Sequence, residues 1–269
     1  MYLEFYGLAE APFNITPDPR FLFFSGRHRE AYEHLIYGIE QRKGFIALTG
    51  EVGSGKTTVC RAVLAKLPPN VHTALVLNPM LTETQLLRAI LHDFGLEPRG
   101  RDRLGYVEQL NVFLLEQARA GFNVALFIDE AQNLSPEVME QVRLLSNLET
   151  DQHKLMQIVL SGQPELQARL AQPELRQLRQ RITILCHLLP LSEAETALYV
   201  AHRLKVAGAG DAVGFSEDAI RQVYKFARGI PRMTNTICDR AMLAGYVARA
   251  RRVGRREVKR AREELEAAS

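Results

Sequence analysis

Between residues 44 and 189 the chain alternates between two hydrophobic periods. Short apolar runs read as strands: GFIALT (44–49), HTALVLN (72–78), NVALFIDE (123–130), KLMQIVLSG (154–162) and RITILCHLL (181–189). Their apolar residues are nearly continuous, which suits strands buried on both faces of a parallel sheet. Stretches with helical spacing separate them, at 57–67, 82–95, 104–121, 136–149 and 164–171. Strand and helix in alternation predict an α/β fold, an αβα sandwich with a five-stranded parallel sheet. An amphipathic helix over 28–41, with Leu35, Ile36 and Ile39 on one side, precedes the first strand.

The pattern changes at both ends. From about Leu191 the strand signal stops and four helical segments follow, with Ser192 and Ser216 as N-caps ahead of Glu193 and Glu217. The first 27 residues carry Phe5, Tyr6, Phe13, Phe21, Phe23 and Phe24 among Pro12, Pro17 and Pro19, which predicts an irregular strap. The expected organisation is a strap and helix packed on the core (1–43), an α/β nucleotide-binding core (44–190) and a small all-α domain (191–269). The chain shows no internal repeat and no low-complexity tract.

Composition narrows the class without naming a partner. A hydrophobic content of 46% with 24% charged residues is that of a globular chain, and a net charge of +3 forces no partner. Cys60, Cys186 and Cys238 are far apart and read as buried thiols in a reducing compartment, not as a disulfide or zinc framework. The N-terminus lacks the basic start and apolar core of a signal peptide. No apolar stretch is long enough to span a bilayer. The expectation is a cytoplasmic protein that reaches a membrane only through partners.

The chemistry concentrates at the ends of the strand runs. After the first come Gly50, Glu51, Val52, Gly53, Ser54, Gly55, Lys56, Thr57 and Thr58, a glycine loop that opens a helix. Glycines allow several backbone N–H groups to face one concavity, which suits a nucleoside triphosphate. Lys56 reaches the β/γ-phosphates, Thr57 ligates Mg²⁺, and the helix dipole favours the anion. The third run ends in Asp129 and Glu130, two carboxylates at the edge where open α/β sheets bind ligands. Asp129 is expected to hold Mg²⁺ and Glu130 to act as general base on the attacking water.

Five further places carry paired readings. Gln163, or secondarily Ser161, could touch the γ-phosphate or its water; turn chemistry before Pro164 is the alternative. Asn78 either holds Glu130 off the water until a partner binds or caps the turn it makes with Pro79. Among Arg176, Arg179 and Arg181, one arginine, Arg181 first, could reach the γ-phosphate on a neighbouring subunit; a solvated basic face is the alternative. Arg232, following Pro231 at a helix start, either reports the γ-phosphate or is a surface arginine. The basic run 249–262 is read first as a solvated helix face and second as a contact to nucleic acid or acidic lipid.

In this order and spacing, GEVGSGKTT, LFIDEAQNL, SGQPEL, LRQLRQRI and GIPRMTN resemble the AAA+ ATPases of the ExeA/general secretion pathway protein A type. The opening, YLEFYGLAEAPFNITPDPRFLFFSGRHREAYEHLIYGIEQRKGF, is similar to the start of that family, and the resemblance covers essentially the whole chain. It is closest to short members such as the MSHA pilus biogenesis ATPase MshM, since no transmembrane helix or peptidoglycan-binding half is present in the sequence. The resemblance implies a P-loop NTPase core of the ASCE class with strand order 5-1-4-3-2 and a helical lid, with ATP and Mg²⁺ between them. It implies the Walker A roles for Lys56 and Thr57, the Walker B roles for Asp129 and Glu130, and the usual roles for Gln163, Arg181 and Arg232. It further implies an ATP-dependent homo-oligomer, ring or helical, serving a pilus, secretion or exopolysaccharide machine through inner-membrane components. The alternative is a DNA-associated regulator like the ATPases of transposition systems, which share these motifs.

Overall fold

The computed structural model describes residues 2–16, 18–77, 80–100, 102–149, 154–211 and 213–267. In chain order the elements are α1 (Tyr2–Tyr6), α2 (Gly26–Glu40), β1 (Phe45–Gly50), α3 (Lys56–Lys66), β2 (Val71–Val76), α4 (Glu83–Asp93), α5 (Arg103–Arg119), β3 (Asn123–Ile128) and α6 (Pro136–Leu145). They continue with β4 (Gln157–Gly162), α7 (Pro164–Leu170), α8 (Arg176–Arg181), β5 (Ile182–Leu188), α9 (Glu193–Val206), β6 (Gly214–Phe215), α10 (Glu217–Ala227), α11 (Pro231–Val247), β7 (Arg252–Val253) and α12 (Arg255–Glu266).

The strands β1 to β5 form one parallel sheet in the order β2-β3-β4-β1-β5, the order the family resemblance implied. The inner strands β1, β3 and β4 are buried at every position, as continuous apolar runs require. The outer strands are not: Thr183, Leu185 and His187 of β5 are exposed, and β2 is half-buried over most of its length. The open edge of β2 is blunted by Asp93, whose carboxylate accepts from the Leu75 N–H. Because every strand runs the same way, β1, β3 and β4 finish at one edge, with Thr49 beside Gly162 and Ile128 beside Leu160.

Contacts divide the chain into two compact units. The sheet unit holds Arg29–Gly50 and Val59–Leu188. Its core runs through Leu86, Ile90, Leu114, Leu126, Val142 and Ile158. The helical unit holds Met1–His28, Glu51–Thr58 and Leu189–Ser269. Within it, Tyr6, Leu8, Phe13 and Phe21 of the strap share one apolar cluster with Leu191, Val223, Ile237, Met242 and Val258. The strap is therefore part of the core of the helical unit, because its aromatics are the large apolar groups that fill it.

Three local expectations differ. Tyr2–Tyr6 is a helical turn where an irregular strap was expected. Its Tyr2 hydroxyl donates to Asp239 at 2.7 Å and its Tyr6 hydroxyl to Met242 O at 3.1 Å, so tertiary contacts hold a helix too short to stand alone. α6 stops at Leu145 and not at 149, because the Ser146 hydroxyl donates back to Arg143 O at 2.6 Å. The helical unit also contains a parallel pair, β6 with β7, too short to give a strand signal. Both expected serine caps form: Ser192 makes a reciprocal capping box with Glu195, and Ser216 Oγ accepts from Ala219 N.

Candidate functional site

The glycine loop is shaped by its own backbone and by two neighbours within the helical unit. Gly53 and Gly55 have φ of 78° and 101°, values that a side chain would strain. A Cβ on Gly53 would also stand 2.4 Å from the Cβ of Arg232. Arg232 lies that close because its backbone N–H donates to Gly53 O at 3.1 Å, while the side chain is exposed. On another side, His28 Nε2 lies 2.9 Å from Ser54 O and Nδ1 lies 2.6 Å from Ser25 Oγ. Burial pushes the pKa of His28 below the ordinary imidazole value, with the Ser54 carbonyl and Glu195 opposing that shift. Lys56 is only 5% exposed, and its Nζ donates to Glu51 O at 3.0 Å. Ser54 Oγ is buried with no hydrogen-bond partner among the described residues. A buried ammonium and an unmet hydroxyl inside a glycine turn, at the start of α3, fit a polyphosphate ligand. Thr57 and Thr58 occupy the first turn of that helix.

The acidic pair belongs to the sheet unit, just past β3. Asp129 is buried, and its Oδ1 accepts from Ser161 Oγ at 2.8 Å and from Glu130 N at 3.0 Å. Two donors fix one carboxylate oxygen, so the group is oriented. Glu130 has φ of 52°, in the left-handed region that few non-glycine residues enter. Its Oε2 accepts from Gln132 Nε2 at 2.6 Å and from Gln163 Nε2 at 3.1 Å. Gln132 Oε1 in turn accepts from Gln163 N at 3.0 Å, and Arg169 donates to Gln132 O.

The structure thus brings Gln163 and Ser161 to the carboxylates, each by a direct hydrogen bond. Asn78 lies outside the described residues. Arg181 donates through Nη1 to Ser146 Oγ at 2.7 Å in its own chain, whereas Arg176 and Arg179 are exposed. The C-terminal basic run is largely engaged internally. Lys259, Arg260 and Arg262 pair with Glu263, Glu264 and Glu266 one turn on, and Arg249 and Arg251 lie over Tyr246 and Phe5. The three cysteines are buried, and none forms a disulfide among the described residues. No helix among the described residues is long and apolar enough to cross a membrane.

Two residues beside these groups escaped the sequence reading. Gln132 stands two positions after Glu130, and that nearness to the acidic pair was the available signal. His28 was read only as the start of a helix; Ser25 three residues before it is the cap that places it, through a His28 N to Ser25 Oγ bond of 3.3 Å.

A family model described as an AAA domain matches residues 39–170. General secretion pathway protein A of Aeromonas hydrophila is 49% identical over 249 residues, covering 91% of this chain and 45% of that protein. The chain therefore spans under half the length of that relative. Among solved structures, the ORC2 protein of Aeropyrum pernix, in ADPNP–ADP complexes, superposes with a TM-score of 0.71 at 17% identity over 97% of this chain and 72% of that one. The RuvB Holliday junction branch migration motor of Thermotoga maritima gives 0.59 at 19% identity, over 88% of this chain and 69% of that one. At such identities these two likenesses concern the fold alone.

Proposed function

The chain belongs to the AAA domain family, in the group of general secretion pathway protein A, and from that premise we propose that it is an ATPase serving assembly of a cell-envelope machine. The observation that carries the first half is the buried Lys56 ammonium beside the unmet Ser54 hydroxyl in a left-handed glycine turn. A buried ammonium, glycine-turn N–H groups and a helix start in one loop together suit an anionic ligand.

The roles follow from the donor sets. Residues 50–58 cradle the phosphates, with Lys56 as the point charge. Thr57 and Asp129 are the Mg²⁺ ligands, Asp129 being held for that purpose by Ser161 and the Glu130 N–H. When bound, Mg²⁺ neutralises charge that develops on the phosphoryl oxygens. Glu130 takes the proton of the attacking water, with Gln132 and Gln163 orienting its carboxylate. Arg232 reads the γ-phosphate, and Arg181 acts on the nucleotide of a neighbouring subunit in an ATP-dependent ring or helical homo-oligomer. The relative's name supports a secretion machine as client; a pilus or exopolysaccharide machine, and access from the cytoplasm through inner-membrane components, extend that proposal from the sequence resemblance alone.

Calorimetry with ATP and Mg²⁺ tests the core of this reading. Lys56→Ala is expected to abolish binding, and wild-type affinity in that variant would remove the central claim. Glu130→Gln is expected to retain ATP and lower turnover by about 10²–10⁴-fold, the usual range for a general base. Normal turnover in that variant would place the base elsewhere. Tight, ATP-dependent binding of duplex DNA with a steep salt slope would move the client from envelope to nucleic acid.

A further inference from the structure

His28 touches the phosphate loop, and its chemistry there is specific. Its Nε2 lies 2.9 Å from Ser54 O, a carbonyl that can only accept, so Nε2 carries the ring proton. Nδ1 of the neutral ring is then an acceptor, and Ser25 Oγ, 2.6 Å away, donates to it. The same serine oxygen accepts from His28 N at 3.3 Å, capping α2. One hydroxyl therefore fixes both the tautomer and the place of the ring. Around it, Glu195 accepts from the Gly26 backbone and is the charged group that faces the imidazole. Burial keeps the ring neutral by opposing its protonation.

The consequence lies in the peptide that His28 holds. No cis peptide bond occurs among the described residues, so the Ser54–Gly55 peptide is trans and planar. Its C=O and N–H point to opposite sides. With Ser54 O drawn to the imidazole, the Gly55 N–H points away from it. The ring also fills the space over Gly55, where a Cβ would stand 3.1 Å from Nε2. A flip of this peptide turns ψ of Ser54 and φ of Gly55, and the glycine, already at positive φ, offers little resistance to that change.

The geometry points to His28 as a positioning residue that locks the Ser54–Gly55 peptide with its N–H presented to the triphosphate. This rests on the reading of residues 50–58 as the ATP site. His28 touches no reacting atom and acts through Ser54 O, with Ser25 setting its tautomer. The donor is all the role requires, and a glutamine side chain places an amide nitrogen at about the reach of Nε2.

The test is the affinity for MgATP of the full chain and of His28→Leu, His28→Gln, Ser25→Ala and Lys56→Ala. Losing the donor in His28→Leu is expected to weaken MgATP by about tenfold, equivalent to about 1.4 kcal/mol. His28→Gln should return to within about threefold of wild type, with Ser25→Ala falling between, as expected for removal and restoration of one hydrogen bond. His28→Leu and His28→Gln should keep the nucleotide-free unfolding midpoint of wild type, while Ser25→Ala should lower it through loss of the α2 cap. Wild-type affinity in His28→Leu, while Lys56→Ala binds nothing, overturns this inference alone. Equal weakening in His28→Leu and His28→Gln also overturns it, by showing that ring packing matters and the donor does not. Should His28→Leu not fold, His28→Gln and Ser25→Ala decide: a tenfold loss in the first, or none in the second, is the adverse result. Unchanged affinity in Lys56→Ala sinks the reading of the loop itself, a separate outcome.

Discussion

Glu130 sits in the left-handed region at φ 52°, where an L-residue loses roughly 1–2 kcal/mol against its ordinary conformations. Such strain persists where the surroundings fix it, and here Asp129, Gln132 and Gln163 all bond to this residue. The strained turn is what carries the carboxylate to both glutamine amides. Glycine accepts the same backbone without strain, so Glu130→Gly should raise the unfolding free energy by up to about 1 kcal/mol. Turnover should be lost in the same variant. Urea unfolding beside an ATPase assay checks both, and a destabilised glycine variant would mean that the side-chain bonds outweigh the strain. The acidic pair itself was legible in the sequence as a strand end. Its left-handed backbone and the part played by Gln132 were not, because they depend on how the chain turns after Ile128.

Among the elements, α9 shows most directly how local sequence sets structure. Ser192 Oγ accepts from Glu195 N at 3.2 Å and the Glu195 carboxylate accepts from Ser192 N at 2.9 Å, so each residue meets an orphan donor of the first turn. Glu195 accepts from the Gly26 backbone as well, which ties this cap to the start of α2. Ser192→Ala should therefore cost about 1 kcal/mol, as N-cap removals do, measured as a lower urea midpoint at unchanged slope. Both serine caps were readable because a cap is decided within four residues. The end of α6 was misplaced by four residues because the Ser146 hydroxyl competes for Arg143 O, an interaction the hydrophobic pattern does not register.

On the scale of the whole molecule, the basic turn at 176–181 tests the proposed assembly. Arg181 is bonded to Ser146 within its own chain, so engaging a neighbour's nucleotide requires that bond to be exchanged. Arg181→Ala should leave MgATP affinity intact and reduce turnover by about 10³-fold or more, the range seen when GTPase fingers are removed. Mixing Arg181→Ala with Lys56→Ala should restore part of the activity, at interfaces that join an intact Arg181 to an intact Lys56. No recovery in the mixture counts against action in trans and leaves Arg179 or Arg176 to be tested the same way.

The sequence by itself determined the strand runs, the parallel α/β class, the phosphate loop, the acidic pair and the helix caps. Each is encoded in a short window: apolar continuity, glycines that permit positive φ, or a polar side chain within one turn of the N–H it meets. Tertiary structure alone decided that the strap aromatics complete the core of the helical unit. It also decided that Ser54 O faces His28 and that Arg232 N meets Gly53 O. These pairs are separated by long stretches of chain, and their partners are chosen by packing. A linear pattern records the phosphate loop, but the side chains that hold its peptides in place come from segments that folding brings to it.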